Sequence, residues 1–390
     1  MRIGLLTEMY LPVVSGVTHF VSLHKKTLEE MGHEPFVFTF GPDNSFDEES
    51  RIVYSQGIPV SDIGYYLNIS LSKRARHLVR TMDVLHAQHP FIVGQLAIRY
   101  RKRYHIPAVF TNHTRYDLYF HHYLPFLPES VGVAFWEVYL PSFARQLDLI
   151  IAPSAKIRDL IRNKEPTAHV EFIPNGIEVE RFHSPAKRRD KMALGIPESA
   201  QVLIYVGRLG TEKNLALLLR AFAAVASALP DTHLVLVGEG MERDNLQEEA
   251  ARLGLGRQVV FTGKVSYDDV PAYLAMADAF VTASVTEVHP LSVLEAMAAG
   301  LPVLGIDSPG VGEIIVDGQN GLLSGNDLAE FSVRLYRLMS DHELRARLAR
   351  QARADSAQYD IRTTTRRIVS CYEEVIAAHQ AKRQGIVKES

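Results

Sequence analysis

The sequence predicts an α/β protein built from two doubly wound, Rossmann-like domains. Three observations predict this fold class. Short apolar runs alternate with helical patterns along almost the whole chain, the alternation restarts after a charged, proline-containing stretch, and 390 residues supply apolar material for more than one core. Alternating strands and helices favour parallel sheets that are covered on both faces.

The first half of the chain contains five apolar runs that are typical of short buried strands. They are Arg2–Thr7, Glu34–Phe40, Asp83–Ala87, Ala108–Thr111 and Leu149–Ala152. Between them lie three amphipathic segments, predicted to be helices at Val17–Met31, Phe91–Tyr104 and Ala155–Asn163.

The second half repeats the scheme and ends in a helical tail. Its predicted strands are Val202–Val206, His233–Val237, Val259–Thr262, Ala279–Ala283 and Pro302–Gly305. Its predicted helices are Leu215–Ser227, Arg243–Leu253, Ser266–Met276, Leu291–Ala299, Ala329–Asp341 and a tail from Ile361 to about Gln380.

The domain boundary is predicted in the charged stretch near residues 180–200. The first domain then covers 1–180 and the second 181–365, while the tail from 366 to 390 crosses back to the first domain. Two doubly wound domains that face each other leave an interdomain cleft at the carboxyl ends of their strands, where ligands bind in such folds.

Composition and charge exclude several classes of protein. Lys and Arg number 42 against 45 Asp and Glu, and a net charge of −3 is too near neutral for a bulk electrostatic grip on nucleic acid. The single cysteine, Cys371, allows no internal disulfide and favours a reducing compartment. The N-terminal apolar run is too short for a signal peptide, and no stretch approaches the ~20 apolar residues of a membrane span. The expected location is the cytoplasm, with peripheral attachment to the inner face of the cell membrane as the alternative.

The sharpest motif places two glutamates, Glu287 and Glu295, around the start of a predicted helix. Pro290 suits the first helical turn, where a missing N–H costs nothing, and Gly300 suits the left-handed residue after the last turn. Glu287 then lies in the loop before the helix and Glu295 inside it. The two carboxylates can therefore reach opposite ends of one ligand.

Between these glutamates, the amides of Leu291 and Ser292 at the positive end of the helix form a natural phosphate site. A carboxylate, an anion site and a second carboxylate match sugar, diphosphate and ribose in that order. The alternative is that both glutamates are solvated charges at the ends of a helix, which is common.

Two cations, Arg208 and Lys213, follow the strand that ends at Gly207. At the carboxyl end of a strand they would face the cleft, where Arg as a fork and Lys as a point charge suit a diphosphate. A metal-free enzyme needs such cations because the leaving diphosphate gains negative charge as the sugar bond breaks. The alternative is a surface ion pair with Glu212.

Two glycine-containing loops follow other predicted strands. Gly16 lies at the N-terminus of the first predicted helix and lets the backbone approach a phosphate closely, although many α/β proteins have such a loop. Gly238 and Gly240 follow a strand as in the dinucleotide-binding fingerprint, but Arg243 replaces its third glycine. The second loop is therefore predicted to be a tight strand-to-helix turn.

Taken together, these residues resemble the family 4 retaining glycosyltransferases, which share the GT-B fold of two facing Rossmann-like domains. The resemblance covers nearly the whole chain, and the pair of glutamates separated by seven residues is quite specific when combined with the Arg and Lys. Its segments are Pro12–Val17, Pro174–Ile177, Gly207–Lys213, Val237–Gly240, Glu287–Glu295 and Asp317–Gly321.

The resemblance implies a division of roles within the donor site. Arg208 and Lys213 would hold the donor diphosphate, and Gly16 would contact it from the other domain. Glu295 would bind the ribose hydroxyls, and Glu287 would face the transferred sugar near its anomeric side.

The resemblance also implies two further contacts and shows one departure. Backbone around Val265 would meet the base, and His113 matches a family position that contacts the sugar or the transition state. Family members commonly carry an aromatic residue and a glycine after the first glutamate, where this chain has His289 and Pro290. Pro290 has no backbone N–H, so any sugar contact made by that amide is lost or replaced.

An aromatic segment after His113 is the predicted acceptor region. Its tyrosines, Tyr116, Tyr119 and Tyr123, are similar to a pattern in diacylglycerol glucosyltransferases, which favours a lipid acceptor; local packing of a surface flap is the alternative. Basic stretches at Ser70–Arg80 and Arg99–Arg103 suit docking on anionic lipid, although such stretches are more often solvated faces.

These features predict a retaining hexosyltransferase that uses a nucleoside-diphosphate sugar, with UDP-glucose the best single choice. No cofactor or metal is expected, because the nucleotide sugar is the substrate and paired His121 and His122 lack a carboxylate at metal spacing. The expected partners are this donor and a lipid or small-molecule acceptor. The alternatives are a sugar-nucleotide epimerase, a non-catalytic nucleotide-sugar sensor and, last, a nicotinamide oxidoreductase.

Overall fold

A computed structural model describes residues 1–13, 15–61, 65–116, 129–383 and 385 of the chain. The chain divides into two compact units. One contains Met1–Gly176 together with the residues from Ile361 onward, and the other contains Ile177–Asp360.

The first unit is built on an eight-stranded sheet with the order β10-β9-β8-β7-β1-β2-β4-β3, in which only the β3–β4 pair is antiparallel. Strands β5 and β6 form a separate antiparallel hairpin. The strands are β1 Arg2–Leu6, β2 Glu34–Gly41, β3 Phe46–Asp47, β4 Ile52–Gln56, β5 Ile58–Ser61, β6 Tyr65–Leu67, β7 Val84–Ala87, β8 Ala108–Thr111, β9 Leu149–Ala152 and β10 Val170–Phe172. The helices are α1 Gly16–Glu30, α2 Lys73–Val79, α3 Ile92–Tyr104, α4 Glu129–Ala144 and α5 Ala155–Lys164.

The second unit is built on a six-stranded parallel sheet with the order β13-β12-β11-β14-β15-β16. The strand order reverses between β11 and β14, and ligands bind at such a switch point in doubly wound folds. The strands are β11 Gln201–Val206, β12 Thr232–Val237, β13 Val259–Gly263, β14 Ala279–Thr282, β15 Val303–Ile306 and β16 Gly321–Ser324. The helices are α6 Val179–His183, α7 Leu215–Ala228, α8 Arg243–Arg252, α9 Val270–Met276, α10 Leu291–Ala298, α11 Val311–Ile314, α12 Leu328–Ser340 and α13 His342–Ser356. The last helix, α14 Ile361–Arg383, belongs to the first unit.

Both faces of the second sheet are buried, as the continuous apolar strands require. In β11, Leu203 and Tyr205 pack into the core on one face, while Val202 and Ile204 pack into the core on the other. This period of two places successive side chains on opposite faces of one strand. The predicted α/β class with parallel sheets is confirmed.

The units divide between Gly176 and Ile177, a few residues before the predicted boundary. Ile177, Val179 and Phe182 are buried in the second unit's core, which fixes this segment to that unit. The chain returns at Ile361, and Tyr372 of α14 is buried in the core of the first unit.

The predicted elements differ from the structure where segments are short or broken. Ala108–Thr111 and Leu149–Ala152 are strands at their predicted bounds. The predicted helix Ser266–Met276 is wrong in its first turn, because Tyr267–Asp269 forms a 3₁₀ turn before α9 begins. Strands β3 to β6 were not predicted, since each has only two to five residues and carries a weak pattern. Among the described residues, no helix combines the length and the apolar character that crossing a bilayer requires.

Candidate functional site

An ion pair bridges the loops that follow β11 and β14, the two strands at the switch point. Lys213 Nζ lies 2.5 Å from Glu287 Oε1, and both side chains are largely buried. Thr211–Lys213 forms a 3₁₀ turn that ends at Asn214 in the left-handed conformation, from which α7 starts. The turn therefore presents Lys213 at the carboxyl edge of the sheet, opposite Glu287.

Arg208 lies in the same loop and makes the ion pair with Glu212 that the sequence left as an alternative. Its Nη2 lies 2.7 Å from Glu212 Oε1, yet 65% of its side chain is exposed whereas Glu212 is buried. The Tyr205 hydroxyl donates to the Arg208 carbonyl oxygen at 2.9 Å and fixes the start of the loop. One edge of the guanidinium thus neutralises a buried carboxylate, and the exposed part can still bind an anion.

The glycines of the neighbouring loops allow backbones to touch. A Cβ on Gly238 would lie 1.9 Å from the Gly207 carbonyl oxygen, and one on Gly240 would lie 2.3 Å from the Leu209 carbonyl oxygen. The loops after β11 and β12 therefore pack backbone against backbone. Gly238 and Gly240 belong to a tight turn that leads into α8 at Arg243, as the sequence predicted.

Helix α10 is flanked by Pro290 and Gly300, the two residues that the sequence singled out. Gly300, with φ of +77°, follows its last turn in the left-handed conformation. Pro290 does not lie in the first turn but precedes it, with φ of −70° and ψ of 117°. Its carbonyl oxygen accepts from Val293 N at 3.2 Å, so the amides of Leu291 and Ser292 precede the first intrahelical bond. These two amides are placed to bind an anion.

Glu295 lies one turn further along α10 and is 4% exposed. The Tyr267 hydroxyl donates to its Oε1 at 2.9 Å. Burial raises the pKa of Glu295 to about 7, while the Tyr267 hydrogen bond and the charge of Arg181 oppose that rise. Val265, the residue predicted to lie by the base, is half-buried against the same core.

His289, which replaces the aromatic residue common at this position in the family, is buried. Its ring lies 5.5 Å from the ring of Tyr359, and burial lowers its pKa to about 3. The imidazole is therefore neutral at physiological pH, and it packs in the second unit instead of supplying charge.

In the first unit, Gly16 is the first residue of α1. Ser15 caps this helix by accepting from Thr18 N at 3.2 Å, and the Thr18 hydroxyl accepts from Ser15 N at 2.7 Å. No heavy atom of the described residues lies within 4 Å of a Cβ built on Gly16. The first turn of the helix thus has open space beside it.

His113 follows β8 and is held by a neighbour that the sequence did not identify. Its Nε2 lies 2.7 Å from Gln88 Oε1, and its ring lies 4.9 Å from that of Phe20. Because the amide oxygen only accepts, Nε2 carries the proton. Burial lowers the pKa of His113 to about 3, so His113 is neutral and can act only through hydrogen bonds.

The predicted acceptor tyrosines divide into two cases. The structure places Tyr116 in the core, 2% exposed, with its ring 5.4 Å from Phe91 and 5.1 Å from Trp136. The expectation that Tyr116 faces an acceptor is therefore corrected, because aromatic packing buries its side chain. Tyr119 and Tyr123 lie outside the described residues.

The sequence also missed Tyr267 and Arg181, which support Glu295. Tyr267 is 28 residues from Glu295 along the chain, and no local pattern links them. Gln88 could have been found, since it directly follows a predicted strand at the carboxyl edge of the first sheet. In the described part of the chain, no three or more His, Cys, Asp or Glu side chains are grouped so that they could hold a metal ion.

Comparison with known proteins shows which family the chain belongs to. Residues 14–181 match the description "Glycosyltransferase Family 4", and residues 186–355 match "Glycosyl transferases group 1". An alpha-monoglucosyldiacylglycerol synthase of Streptococcus pneumoniae is 30% identical over 83% of this chain and 75% of its own length. The chain belongs to the family 4 glycosyltransferases.

Further relatives of this glycosyltransferase cover similar lengths. The sulfoquinovosyl transferase SQD2 of Arabidopsis thaliana is 31% identical over 91% of this chain and 70% of its own. Sucrose-phosphate synthase from Thermosynechococcus elongatus superposes with a TM-score of 0.81 at 19% identity, covering 97% of this chain and 99% of that one. HepE from Anabaena in complex with UDP-glucose gives a TM-score of 0.75 at 19% identity, covering 96% and 100%. The glycosyltransferase has the GT-B fold.

Proposed function

We propose that this glycosyltransferase moves glucose from UDP-glucose to a hydroxyl of a lipid such as diacylglycerol, with retention of anomeric configuration and without a metal ion. The observation that carries the proposal is the Lys213–Glu287 pair at the switch point, beside the N-terminus of α10. The named lipid-acting relatives, the alpha-monoglucosyldiacylglycerol synthases of Streptococcus pneumoniae and Acholeplasma laidlawii, support the choice of donor sugar and acceptor.

The proposed donor position follows from the charges of the second unit. The diphosphate lies against Arg208 and Lys213 and accepts from the amides of Leu291 and Ser292. Lys213 has three N–H donors, so it can keep its contact with Glu287 while binding a phosphate oxygen.

The two ends of the donor then meet the two glutamates. The ribose hydroxyls donate to Glu295, whose carboxylate is held inside the unit, and the base lies at the backbone around Val265. Glu287 faces the sugar near its anomeric side.

The proposed reaction is a front-face displacement. The bond between the anomeric carbon and the diphosphate oxygen breaks, and the acceptor oxygen forms its bond on the same face. The acceptor's proton passes to the departing phosphate. Arg208, Lys213 and the amides at the start of α10 stabilise the negative charge that develops on the leaving group. One oxygen of Glu287 is engaged by Lys213, and the proposal gives Glu287 a contact with the sugar and no covalent role.

Peripheral contact with anionic lipid is part of the proposal. Helix α2 buries Ala75 and Val79 and exposes Lys73, Arg74 and Arg76. Elsewhere in the first unit, Ile58 of β5 is 75% exposed, and Ile69, four residues before α2, is 80% exposed. Exposed basic and apolar side chains of this kind suit a membrane interface.

The decisive experiment presents radiolabelled UDP-glucose to the protein with vesicles that contain diacylglycerol and an anionic phospholipid. Label should appear in a glycolipid, and proton NMR should show an α-anomeric linkage. Excess EDTA should leave the rate unchanged. Vesicles without diacylglycerol are the matched control.

Other outcomes contradict specific parts of the proposal. Conversion of UDP-glucose to its epimer without an acceptor would favour an epimerase, and binding without transfer would favour a sensor. A β-linked product would overturn retention, while loss of rate in EDTA would overturn metal independence. Equal rates on anionic and neutral vesicles would overturn the membrane contact.

A further inference from the structure

The two oxygens of the Glu295 carboxylate have different surroundings. Oε1 accepts from the Tyr267 hydroxyl at 2.9 Å. For Oε2, no hydrogen-bond donor is found among the described residues, and Oε2 is not one of their fully buried side-chain atoms without a partner. Tyr267 therefore holds one oxygen of the carboxylate, and the other oxygen is accessible to a ligand.

Tyr267 is itself held from its other side. The Arg181 guanidinium lies 4.6 Å from the centre of its ring and donates to its carbonyl oxygen at 3.3 Å. Arg181 in turn pairs with Asp268 at 2.6 Å and with Glu178 at 3.2 Å. The phenol thus cannot swing away from Glu295 without breaking a cation–π contact between α6 and the 3₁₀ turn.

We propose that Tyr267 is a positioning residue for donor recognition: its hydroxyl holds Glu295 Oε1 so that Oε2 is aimed at a ribose hydroxyl. This inference rests on the proposed function, which places the ribose at Glu295. Tyr267 contacts the carboxylate and not the reacting atoms. Its hydroxyl also stabilises the ionised form of Glu295, which accepts at both of its oxygens and carries no O–H of its own.

A packing role for Tyr267 makes a different prediction from a positioning role. Tyr267→Phe keeps the ring and its cation–π contact and removes only the hydroxyl. If the ring alone matters, donor affinity is unchanged. If the hydroxyl orients Glu295, affinity falls, and it falls only for ligands whose ribose carries hydroxyls.

The test measures binding of UDP and of 2′,3′-dideoxyuridine diphosphate by calorimetry. The proteins are the wild type, Tyr267→Phe, Glu295→Gln and the double variant. Tyr273→Phe is the matched control, since Tyr273 is a buried tyrosine of the same unit that lies under Arg189. UDP should bind Tyr267→Phe about tenfold more weakly than the wild type, as expected for a hydrogen bond to a charged group. The dideoxy nucleotide should bind both proteins equally.

Two further readouts separate positioning from general damage. Tyr267→Phe should add nothing to the loss already caused by Glu295→Gln. The pH at which UDP binding is half-maximal should move upward in Tyr267→Phe, because the phenol hydroxyl favours ionised Glu295. Among the charged groups on the elements packed against α10, which include Arg181 and His183 of α6 and Arg353 of α13, only Arg181 also lowers the pKa of Glu295.

Equal losses for both nucleotides, or wild-type affinity in Tyr267→Phe, would overturn the positioning role while leaving the proposed function intact. A wild-type protein that binds UDP no better than its dideoxy analogue would overturn both. Wild-type affinity in Tyr273→Phe with the ribose-selective loss in Tyr267→Phe supports the inference.

Discussion

At the scale of single residues, the burial of Glu295 links the donor site to folding stability. Its pKa is raised to about 7, so between pH 4.5 and pH 7 the folded chain holds a proton that the unfolded chain releases. The free energy of unfolding therefore falls as the pH rises through this window and stays low above it. A pKa shift of this size lowers the free energy of unfolding at pH 8 by about 3 kcal/mol.

Glu295→Gln should remove this pH dependence, because an amide does not ionise. The variant is expected to be about 2–3 kcal/mol more stable than the wild type at pH 8 and equal to it at pH 4, measured by urea unfolding. Its amide oxygen can still accept from Tyr267. Glu248→Gln, an exposed control on α8, should match the wild type at both pH values. Parallel stability curves for the wild type and Glu295→Gln would show that this carboxyl is not the source.

The two cations of the donor site are expected to act on turnover. Lys213→Ala and Arg208→Ala should each lower kcat by about 10²–10³-fold, or about 3–4 kcal/mol of transition-state stabilisation. Arg208→Ala should also lower the thermal midpoint, because it leaves the buried Glu212 carboxylate without its cation. Arg350→Ala, exposed on α13 of the same unit, serves as the control for both assays. Turnover within threefold of the wild type in either variant would remove that cation from the mechanism.

At the scale of elements, local pattern predicted most strands and helices but few of their partners. The glycine after α10 could be predicted because a helix that ends in the left-handed conformation favours Gly300. The Tyr267–Glu295 contact could not be predicted, since it depends on how a 3₁₀ turn packs against a helix. Tyr116 was misplaced for the same reason: an aromatic residue after a strand can face solvent or the core, and only tertiary packing decides.

Helix α14 contacts the rest of the first unit through a buried polar network that the sequence pattern does not predict. The Tyr372 hydroxyl lies 3.2 Å from His24 Nε2 and 2.6 Å from His86 Nδ1. The other ring nitrogen of His24, Nδ1, lies 3.1 Å from Thr365 Oγ1, and that of His86, Nε2, lies 2.7 Å from Thr111 Oγ1. Since Thr111 ends β8, directly before the segment that carries the candidate residues, the last helix supports that end of the sheet.

Tyr372→Phe should therefore destabilise the first unit. Two buried ring nitrogens lose a partner, which is expected to cost about 2–4 kcal/mol in total. Urea unfolding followed by fluorescence of Trp136, the single tryptophan of the chain, reports on this unit. Tyr336→Phe on α12, whose side chain is 46% exposed, is the control. A loss below 0.5 kcal/mol in Tyr372→Phe would mean that the apolar contacts of α14 hold it without this network.

At the scale of the whole molecule, the two units use one architecture with different buried charges. Each has a wholly or mostly parallel sheet whose strand order reverses, and each places its candidate residues after the carboxyl ends of its strands. The second unit concentrates cations and carboxylates there, as a charged donor requires. The first unit buries several imidazoles whose pKa is lowered, of which His113 is the one beside the end of β8.

This difference predicts opposite responses to acid in the two units. In the first unit, burial lowers the pKa of His24 and His113 to about 3 and that of His86 well below its usual value. Below pH 6.5 these histidines bind protons in the unfolded chain but not in the folded unit. As the pH falls, each of them therefore lowers the free energy of unfolding by up to about 1.4 kcal/mol per pH unit. In the second unit, His289 acts in the same direction, but Glu295 acts in the opposite one between pH 4.5 and pH 7.

Hydrogen exchange between pH 7 and pH 5, corrected for the intrinsic rate, measures the two responses in one chain. For the slowest-exchanging amides of β1, β7 and β8, the free energy of opening should fall by several kcal/mol. For those of β11 and β14, it should change by less than about 1 kcal/mol. His24→Gln should reduce the loss in the first unit, and Glu295→Gln should create a loss in the second, because it removes the opposing group. Equal losses in both units of the wild type would contradict this assignment, since the compensation depends on Glu295, a buried glutamate of the second unit whose pKa is raised.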